Sequence, residues 1–143
     1  MNIEVVQQAV HWEAAAAAVA AGARWAEQAG IKVSIAVVDP GGNLVSFVRM
    51  PGTFLHSTDI AIDKAYTAAG FGLPSLAWTA ALASQSEAVR NGIPLRPRMV
   101  CFGGGLPLRH EGHLIGGIGV SGGSESEDER CAKACLEAIG MNI

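Results

Sequence analysis

The chain has 143 residues, half of them hydrophobic and 16% charged, with a formal net charge of -3. This composition is too apolar for a disordered chain, and the charge gives no electrostatic footprint for nucleic acid. No apolar run approaches a membrane span, and the first residues lack the basic and apolar regions of a signal peptide. We therefore expect a cytoplasmic protein with a single domain over residues 1–143.

The three cysteines cannot all pair within one chain. Cys101 lies in a strand-like run, while Cys131 and Cys135 are four residues apart on a predicted helix. Reduced, buried thiols are the expected state for such a protein. A metal site would need more ligands close in sequence than the chain offers, so we predict none.

A long amphipathic helix is predicted over residues 4–29, because apolar residues recur every three or four positions. Its stripe consists of Val5, Ala9, Trp12, Ala16, Val19, Ala23 and Ala26. Gly30 is a suitable residue to end it. A helix of this length exceeds what a small domain needs, so we expect part of it to pack on another subunit.

The next segments predict a β-hairpin followed by helices. Residues 32–38 and 44–49 are rich in strand formers, and the turn sequence Asp-Pro-Gly-Gly-Asn separates them. Ser57 is a good N-cap for a helix that ends at residues 70–72. Another short helix is expected from residues 73–75 to residues 91–92, and a loop rich in proline and arginine follows over residues 93–98.

Three further strands and a last helix complete the predicted order. The strands are expected at residues 99–102, 106–110 and 113–120, and the helix runs to about residue 139 with Ser126 as its N-cap and Glu129 at N3. The order α-ββ-αα-βββ-α contains no βαβ unit. It predicts an α+β fold, in which helices pack on a five-stranded antiparallel sheet.

The last predicted strand contains Gly116, Gly117 and Gly119 among apolar residues. Glycine inside a strand costs backbone entropy, so its presence indicates close approach by another backbone or by a ligand. Two interpretations remain open for this segment. It is either a tightly packed core strand or the floor of a ligand site.

Lys64 is unusual because it shares a helix face with apolar residues. Its ammonium group must reach the edge of that face or find a buried partner, for which Asp39 and Asp63 are the candidates. A desolvated lysine has a lowered pKa and can act as a base or form a Schiff base. Arg49 offers a guanidinium fork suited to a carboxylate.

Backbone N–H groups at residues 103–105 and 121–123 could form nests that bind an anion. Together with Arg49 and Lys64 they would suit a small organic acid or the propionates of haem. Histidine and methionine side chains could serve as axial haem ligands. These are His11, His56, His110, His113 and Met50. His110 and His113 flank a predicted two-residue turn, where exposed imidazoles are expected more than a metal site.

Several separated blocks resemble the GlcG/HbpS family, which includes the C-terminal domain of PduO-type proteins. The blocks are residues 38–44, residues 49–52, Ser57 with residues 60–61 and 64–67, residues 102–105, and residues 115–123 with Asp128. The resemblance implies a profilin-like fold and homo-oligomers from dimers to octamers. It also implies a role in catabolic or redox operons, with haem or corrinoid-related ligands in some members.

These observations favour a small-ligand-binding accessory protein, for haem or an anionic organic ligand. The alternative is a small catabolic enzyme that isomerises or hydrolyses an enol, enamine or imine carboxylic acid, with Lys64 and Arg49 as catalytic residues. Haem is a possible cofactor, and no nucleic acid or membrane partner is expected. The predicted ligand-binding residues are Arg49, His56, Lys64, Gly103, Gly104, Gly105, Ser121 and Gly122.

Overall fold

A computed structural model of the chain describes residues 1–142. It contains α1 (Trp12–Ala29), β1 (Ser34–Val38), β2 (Leu44–Arg49), α2 (Ser57–Phe71), α3 (Trp78–Ala83), α4 (Glu87–Gly92), β3 (Gly105–His110), β4 (His113–Ser121) and α5 (Glu125–Ala138). Short 3-10 helices, Ser75–Ala77 and Ile93–Leu95, precede α3 and follow α4. The predicted α+β class is confirmed, and the helix expected over residues 73–92 is divided into several short pieces.

The strands form one antiparallel sheet with the order β2-β1-β4-β3. Ile35 and Val37 of β1 point into a core shared with α1 and α5, whereas Ala36 and Val38 pack against α2. The sheet is therefore enclosed between α2 on one face and α1 with α5 on the other. Because β1 is covered on both faces, it is buried along its whole length.

Within residues 1–142 the sheet has four strands, so the prediction of five was wrong. Residues 99–102 are not a strand, and a side chain of α2 binds the backbone at Arg98 and Val100. The Oγ1 atom of Thr67 donates to the carbonyl oxygen of Arg98 at 2.9 Å and accepts from the N–H of Val100 at 3.0 Å. A side chain on a helix thus takes the bonds that a neighbouring strand would have made.

The first helix begins at Trp12, not near residue 4 as the apolar stripe predicted. His11 is its N-cap, and the Nδ1 atom of His11 accepts a hydrogen bond from the N–H of Glu13 at 3.3 Å. Val10 is fixed by a hydrogen bond of 2.8 Å from its N–H to the carbonyl oxygen of Ile115. Residues 1–9 are exposed and do not form a helix. The apolar residues predicted to extend the helix here have no surface to pack on, and an isolated helical segment is unstable without such packing.

The glycines of β4 allow α2 to lie directly on the sheet. A Cβ atom on Gly119 would overlap the carbonyl oxygen of Ala61, and one on Gly117 would overlap that of Ala65. The close approach is therefore made by the α2 backbone. Of the two interpretations of this strand, the structure supports the tightly packed core strand.

The last helix begins two residues before the predicted position. Ser124 is the N-cap and Glu127 occupies N3 in a complete capping box, so the pairing of Ser126 with Glu129 was wrong. The sequence contains two overlapping Ser-x-x-Glu patterns, and the structure uses the first. Glu129 is consequently free to turn inward, where it is 9% exposed.

All three cysteines are free, with Cys131 and Cys135 buried and Cys101 half-buried. The hydrogen bond with Cys131, together with burial, raises the pKa of the Cys135 thiol. This thiol is therefore protonated at neutral pH. Among the helices of residues 1–142, none combines the length and the apolar character needed to cross a bilayer.

Candidate functional site

Lys64 forms a buried ion pair with Asp128. The Nζ atom of Lys64 lies 3.0 Å from Oδ2 of Asp128, and it also donates to the carbonyl oxygen of Val120 at 2.8 Å. The ring of Phe102 covers the ammonium group, with its centroid 5.1 Å from Nζ. Lys64 is 1% exposed and Asp128 3% exposed, so the charges compensate each other away from water.

The electrostatics of this pair are set by burial. Burial raises the pKa of the Asp128 carboxyl, and the Lys64 ammonium and the N–H of Gly123 act in the opposite direction. The N–H of Gly123 donates to Oδ1 of Asp128 at 2.9 Å, so each carboxylate oxygen has a partner. Asp128 thereby connects Lys64 to the glycine turn after β4.

The predicted partners of Lys64, Asp39 and Asp63, were wrong. The carboxylate of Asp39 accepts from the N–H groups of Gly41 and Asn43 and from the Asn43 side chain. Asp63 is paired with Arg98, whose Nε atom lies 3.0 Å from Oδ1 of the aspartate. Asp128 is 64 residues from Lys64, and the only sequence signal for it was its position in the last family block.

Three N–H groups of the predicted backbone nests already bind groups of the chain itself. The N–H of Gly104 donates to Oε2 of Glu129 at 2.7 Å, and the N–H of Gly105 donates to Oγ of Ser75 at 2.8 Å. In the other glycine turn, the N–H of Gly123 is taken by Asp128. Because these donors have internal partners, an anionic ligand would have to displace a carboxylate or a hydroxyl to use them.

An open cleft of about 420 Å³ lies beside the second glycine turn. Its wall includes Lys32, Thr53, Phe54, Gly122, Gly123 and Glu127. Gly122 has a φ angle of 132°, and a Cβ atom there would lie 2.6 Å from the carbonyl oxygen of Lys32. Glycine is thus required at this position to keep the turn against the segment before β1.

Arg49 stands at the end of β2, where it braces the loop that borders this cleft. Its Nη2 atom donates to the carbonyl oxygen of Thr53 at 2.6 Å. The Oγ1 atom of Thr53 in turn donates to the carbonyl oxygen of Met50 at 2.8 Å. Arg49 thereby contributes to the shape of the cleft through Thr53.

The other predicted site residues divide into two groups. Gly103, Gly104 and Gly105 are buried around the Lys64–Asp128 pair, and a Cβ atom on Gly104 would lie 2.8 Å from Nζ of Lys64. Ser121 is buried at the end of β4, opposite Ser34 of β1. His56 is exposed and is the N-cap of α2, so the prediction of Ser57 as N-cap was wrong, and no side chain among residues 1–142 caps this helix. His56 does not line the cleft beside the second glycine turn.

A second, larger groove of about 580 Å³ continues from the first across residues 30–32. One side is the outer face of α1, where Ala20 and Ala23 leave room, and the other side includes Met50 and Pro51. The charged residues of its lining are Arg24, Glu27 and Lys32. Periodicity along α1 does not predict this groove, because its other wall comes from residues 50–51, which are distant in sequence.

The β3–β4 hairpin places His110 opposite His113, as its turn predicted. Glu111 and Gly112 both have positive φ angles, 48° and 80°, as a two-residue hairpin turn requires. Both histidines are exposed. Within residues 1–142, no three His, Cys, Asp or Glu side chains are grouped so that they could share a metal ion.

Comparison with known proteins agrees with this architecture. A 15.0 kDa protein in the dhaT-dhaS intergenic region of Citrobacter freundii is 39% identical over 111 residues, which cover 76% of this chain and 77% of that protein. The crystal structure of Klebsiella pneumoniae ORFY superposes with a TM-score of 0.87 at 30% identity, over 100% of this chain and 99% of that one. The crystal structure of a PduOC:heme complex superposes with a TM-score of 0.82 at 29% identity, over 91% of this chain and 94% of that one.

The resemblance inferred from the sequence blocks is confirmed by a family model. The model describes haem-degrading proteins of the HbpS-like type and matches residues 10–137. This range includes Lys64, Asp128 and all residues that line the two clefts. The chain belongs to the HbpS-like family.

Proposed function

We propose that this protein is an accessory protein that binds a planar, carboxylate-bearing ligand such as haem in the two joined clefts. The observation that carries the proposal is the lining of the larger groove. It combines an apolar floor formed by Ala20, Ala23 and Ile31 with two basic side chains, Arg24 and Lys32. Small-molecule sites are typically concave and mostly apolar, with a few placed polar groups.

The charges of the groove suit a ligand with carboxylates. Arg24 and Lys32 outnumber the single acid of this lining, Glu27. An arginine fork binds a carboxylate through two hydrogen bonds, and a lysine supplies a mobile point charge. In the adjoining cleft, Glu127 is already engaged with the N–H of Ser124 at 2.9 Å, so its charge is partly satisfied.

Met50 lines this groove and could supply a thioether ligand to the iron if haem binds there. Its Sδ atom now accepts a hydrogen bond from the N–H of Val33 at 3.5 Å. A thioether is a weak hydrogen-bond acceptor, so Sδ could give up this bond and bind iron instead. The heme complex of the structurally similar PduOC domain gives independent support for haem as the ligand class.

The test is a hemin titration followed by absorbance in the Soret region. We expect a shifted band and saturation at one hemin per chain, and a featureless titration that does not saturate would contradict the proposal. Exchanging both basic residues, Arg24→Gln with Lys32→Gln, should weaken binding at least about tenfold. Lys133→Gln is the matched control, because Lys133 is exposed on α5 and lies outside both clefts.

Met50→Leu separates the axial ligand from the rest of the site. Leucine keeps the apolar volume but cannot coordinate iron. We expect hemin still to bind to this variant, with a changed Soret position. An unchanged spectrum would show that Met50 does not bind the iron, but it would not contradict the groove as the binding site.

A further inference from the structure

Residues 1–9 form an exposed, largely apolar arm without regular secondary structure. Four of the nine are large hydrophobic residues with nearly complete exposure: Met1 at 114%, Ile3 at 94%, Val5 at 89% and Val6 at 93%. The arm leaves the domain at Val10, which is 7% exposed and bound to Ile115. So much contiguous apolar surface on one segment indicates a surface that becomes covered by a partner.

The composition of the arm favours a β-strand. Ile3, Val5 and Val6 are β-branched, and β-branched residues suit the pleated surface of a sheet. In an extended chain Ile3 and Val5 share one face, while Glu4 and Val6 share the other. At about 3.3 Å per residue, nine residues reach about 30 Å, which is enough to cross the face of a neighbouring domain.

The same chain carries a sheet edge that lacks proline and lysine, although its pairing with β1 shifts register once, between Val37 and Val38. β2 is an outermost strand, and among residues 1–142 only β1 pairs with it. Its sequence, Leu-Val-Ser-Phe-Val-Arg, contains no proline or lysine, and its single charge lies at the last residue. The opposite edge, β3, contains Pro107 and Arg109, which are typical guards against strand addition.

We propose that the arm of one copy adds as a strand to the outer edge of β2 in a second copy. The apolar arm and the free edge of β2 belong to the same sequence. Two copies can therefore each use their arm to cover the β2 edge of the other. Backbone hydrogen bonds along β2 would provide the affinity, and Ile3 and Val5 would cover apolar surface next to Leu44, which is 51% exposed. Reciprocal exchange of two arms gives a closed, two-fold contact.

The test combines light scattering with amide hydrogen exchange on the full chain at micromolar concentration. The wild-type protein should have a mass of at least two chains and slow exchange within residues 44–49. The double variant Val5→Asp/Val6→Asp should have a lower mass, and exchange in residues 44–49 should be at least about tenfold faster. Gln7→Asp/Gln8→Asp adds the same charge to polar positions of the same arm and should leave both readouts unchanged.

Three results would overturn the proposal. One is a monomeric wild-type protein, and another is a Val5→Asp/Val6→Asp protein that keeps its mass. The third is a lower mass without faster exchange in residues 44–49, because the arm would then contact a different surface. Val5→Ser/Val6→Ser repeats the test without added charge, in case the aspartates interfere with folding.

Discussion

The Nζ atom of Lys64 lies 3.0 Å from Oδ2 of Asp128, in a place where both side chains are almost entirely withdrawn from solvent. Lys64 belongs to α2 and Asp128 to the first turns of α5, and the carbonyl oxygen of Val120 in β4 shares the ammonium group. The pair thus joins three elements at the end of the sheet. Removing one partner would leave the other charge buried without compensation.

Lys64→Met should therefore lower the free energy of unfolding by about 3 kcal/mol, because methionine keeps the apolar stem but leaves Asp128 unpaired. Urea denaturation measures this change. The double variant Lys64→Met/Asp128→Asn should recover part of the loss, since the asparagine is neutral and can still accept from the N–H of Gly123. Lys133→Met on the exposed face of α5 is the control and should change stability little.

The same variant tests whether Lys64 also takes part in ligand binding or catalysis, which stays a prediction. If Lys64 belongs to the site, hemin affinity or turnover should fall at least about tenfold at a temperature where the variant is folded. From the ion pair, we expect the loss of stability to dominate. A Lys64→Met protein with an unchanged melting temperature and unchanged ligand affinity would refute both roles.

Gly119 of β4 and Gly70 near the end of α2 should respond to alanine in opposite directions. Gly119→Ala would place a methyl group against the Ala61 backbone of α2, so we expect a loss of about 3 kcal/mol or failure to fold. Gly70 is the last residue but one of α2 and has nothing within 4 Å of its Cβ position, so Gly70→Ala should stabilise the protein by about 0.5 kcal/mol. Thermal unfolding of both variants checks the pair. Equal effects of the two substitutions would contradict the close packing of α2 on β4.

The sequence predicted best where the deciding interactions are local. The hairpin at Asp39 and the stop of α1 at Gly30, which has a φ angle of 73°, follow from turn chemistry within a few residues. The strand predicted at residues 99–102 does not form, and there the N–H of Val100 binds Thr67, which is more than 30 residues away in sequence. The buried partner of Lys64 was missed for the same reason, since no local pattern selects Asp128 over a nearer aspartate.

Glu127 should contribute to stability only while it is ionised. The hydrogen bond from the N–H of Ser124 lowers the pKa of the Glu127 carboxyl below its ordinary value of 4.5. A depressed pKa in the folded state means that the stabilisation is present above pH 4.5 and is lost as the pH falls through the folded-state pKa. The stability of Glu127→Gln should therefore be lower than wild type at pH 7 and approach it in acid. Denaturation curves from pH 7 to about pH 3 measure this, and a constant difference would contradict the assignment.

The guanidinium of Arg49 could act by bracing the loop before α2 or by binding a ligand directly. The two roles predict different effects of mutation on hemin binding. Arg49→Met removes the 2.6 Å bond to the carbonyl oxygen of Thr53, and Thr53→Val removes the bond from its Oγ1 atom to Met50 without changing charge. If Arg49 shapes the cleft through the loop before α2, both variants should weaken hemin binding by a similar factor, about fivefold for about 1 kcal/mol. We expect this result, with little dependence on salt. A large, salt-sensitive loss in Arg49→Met alone would instead mean that the guanidinium contacts a ligand carboxylate directly, as the sequence predicted.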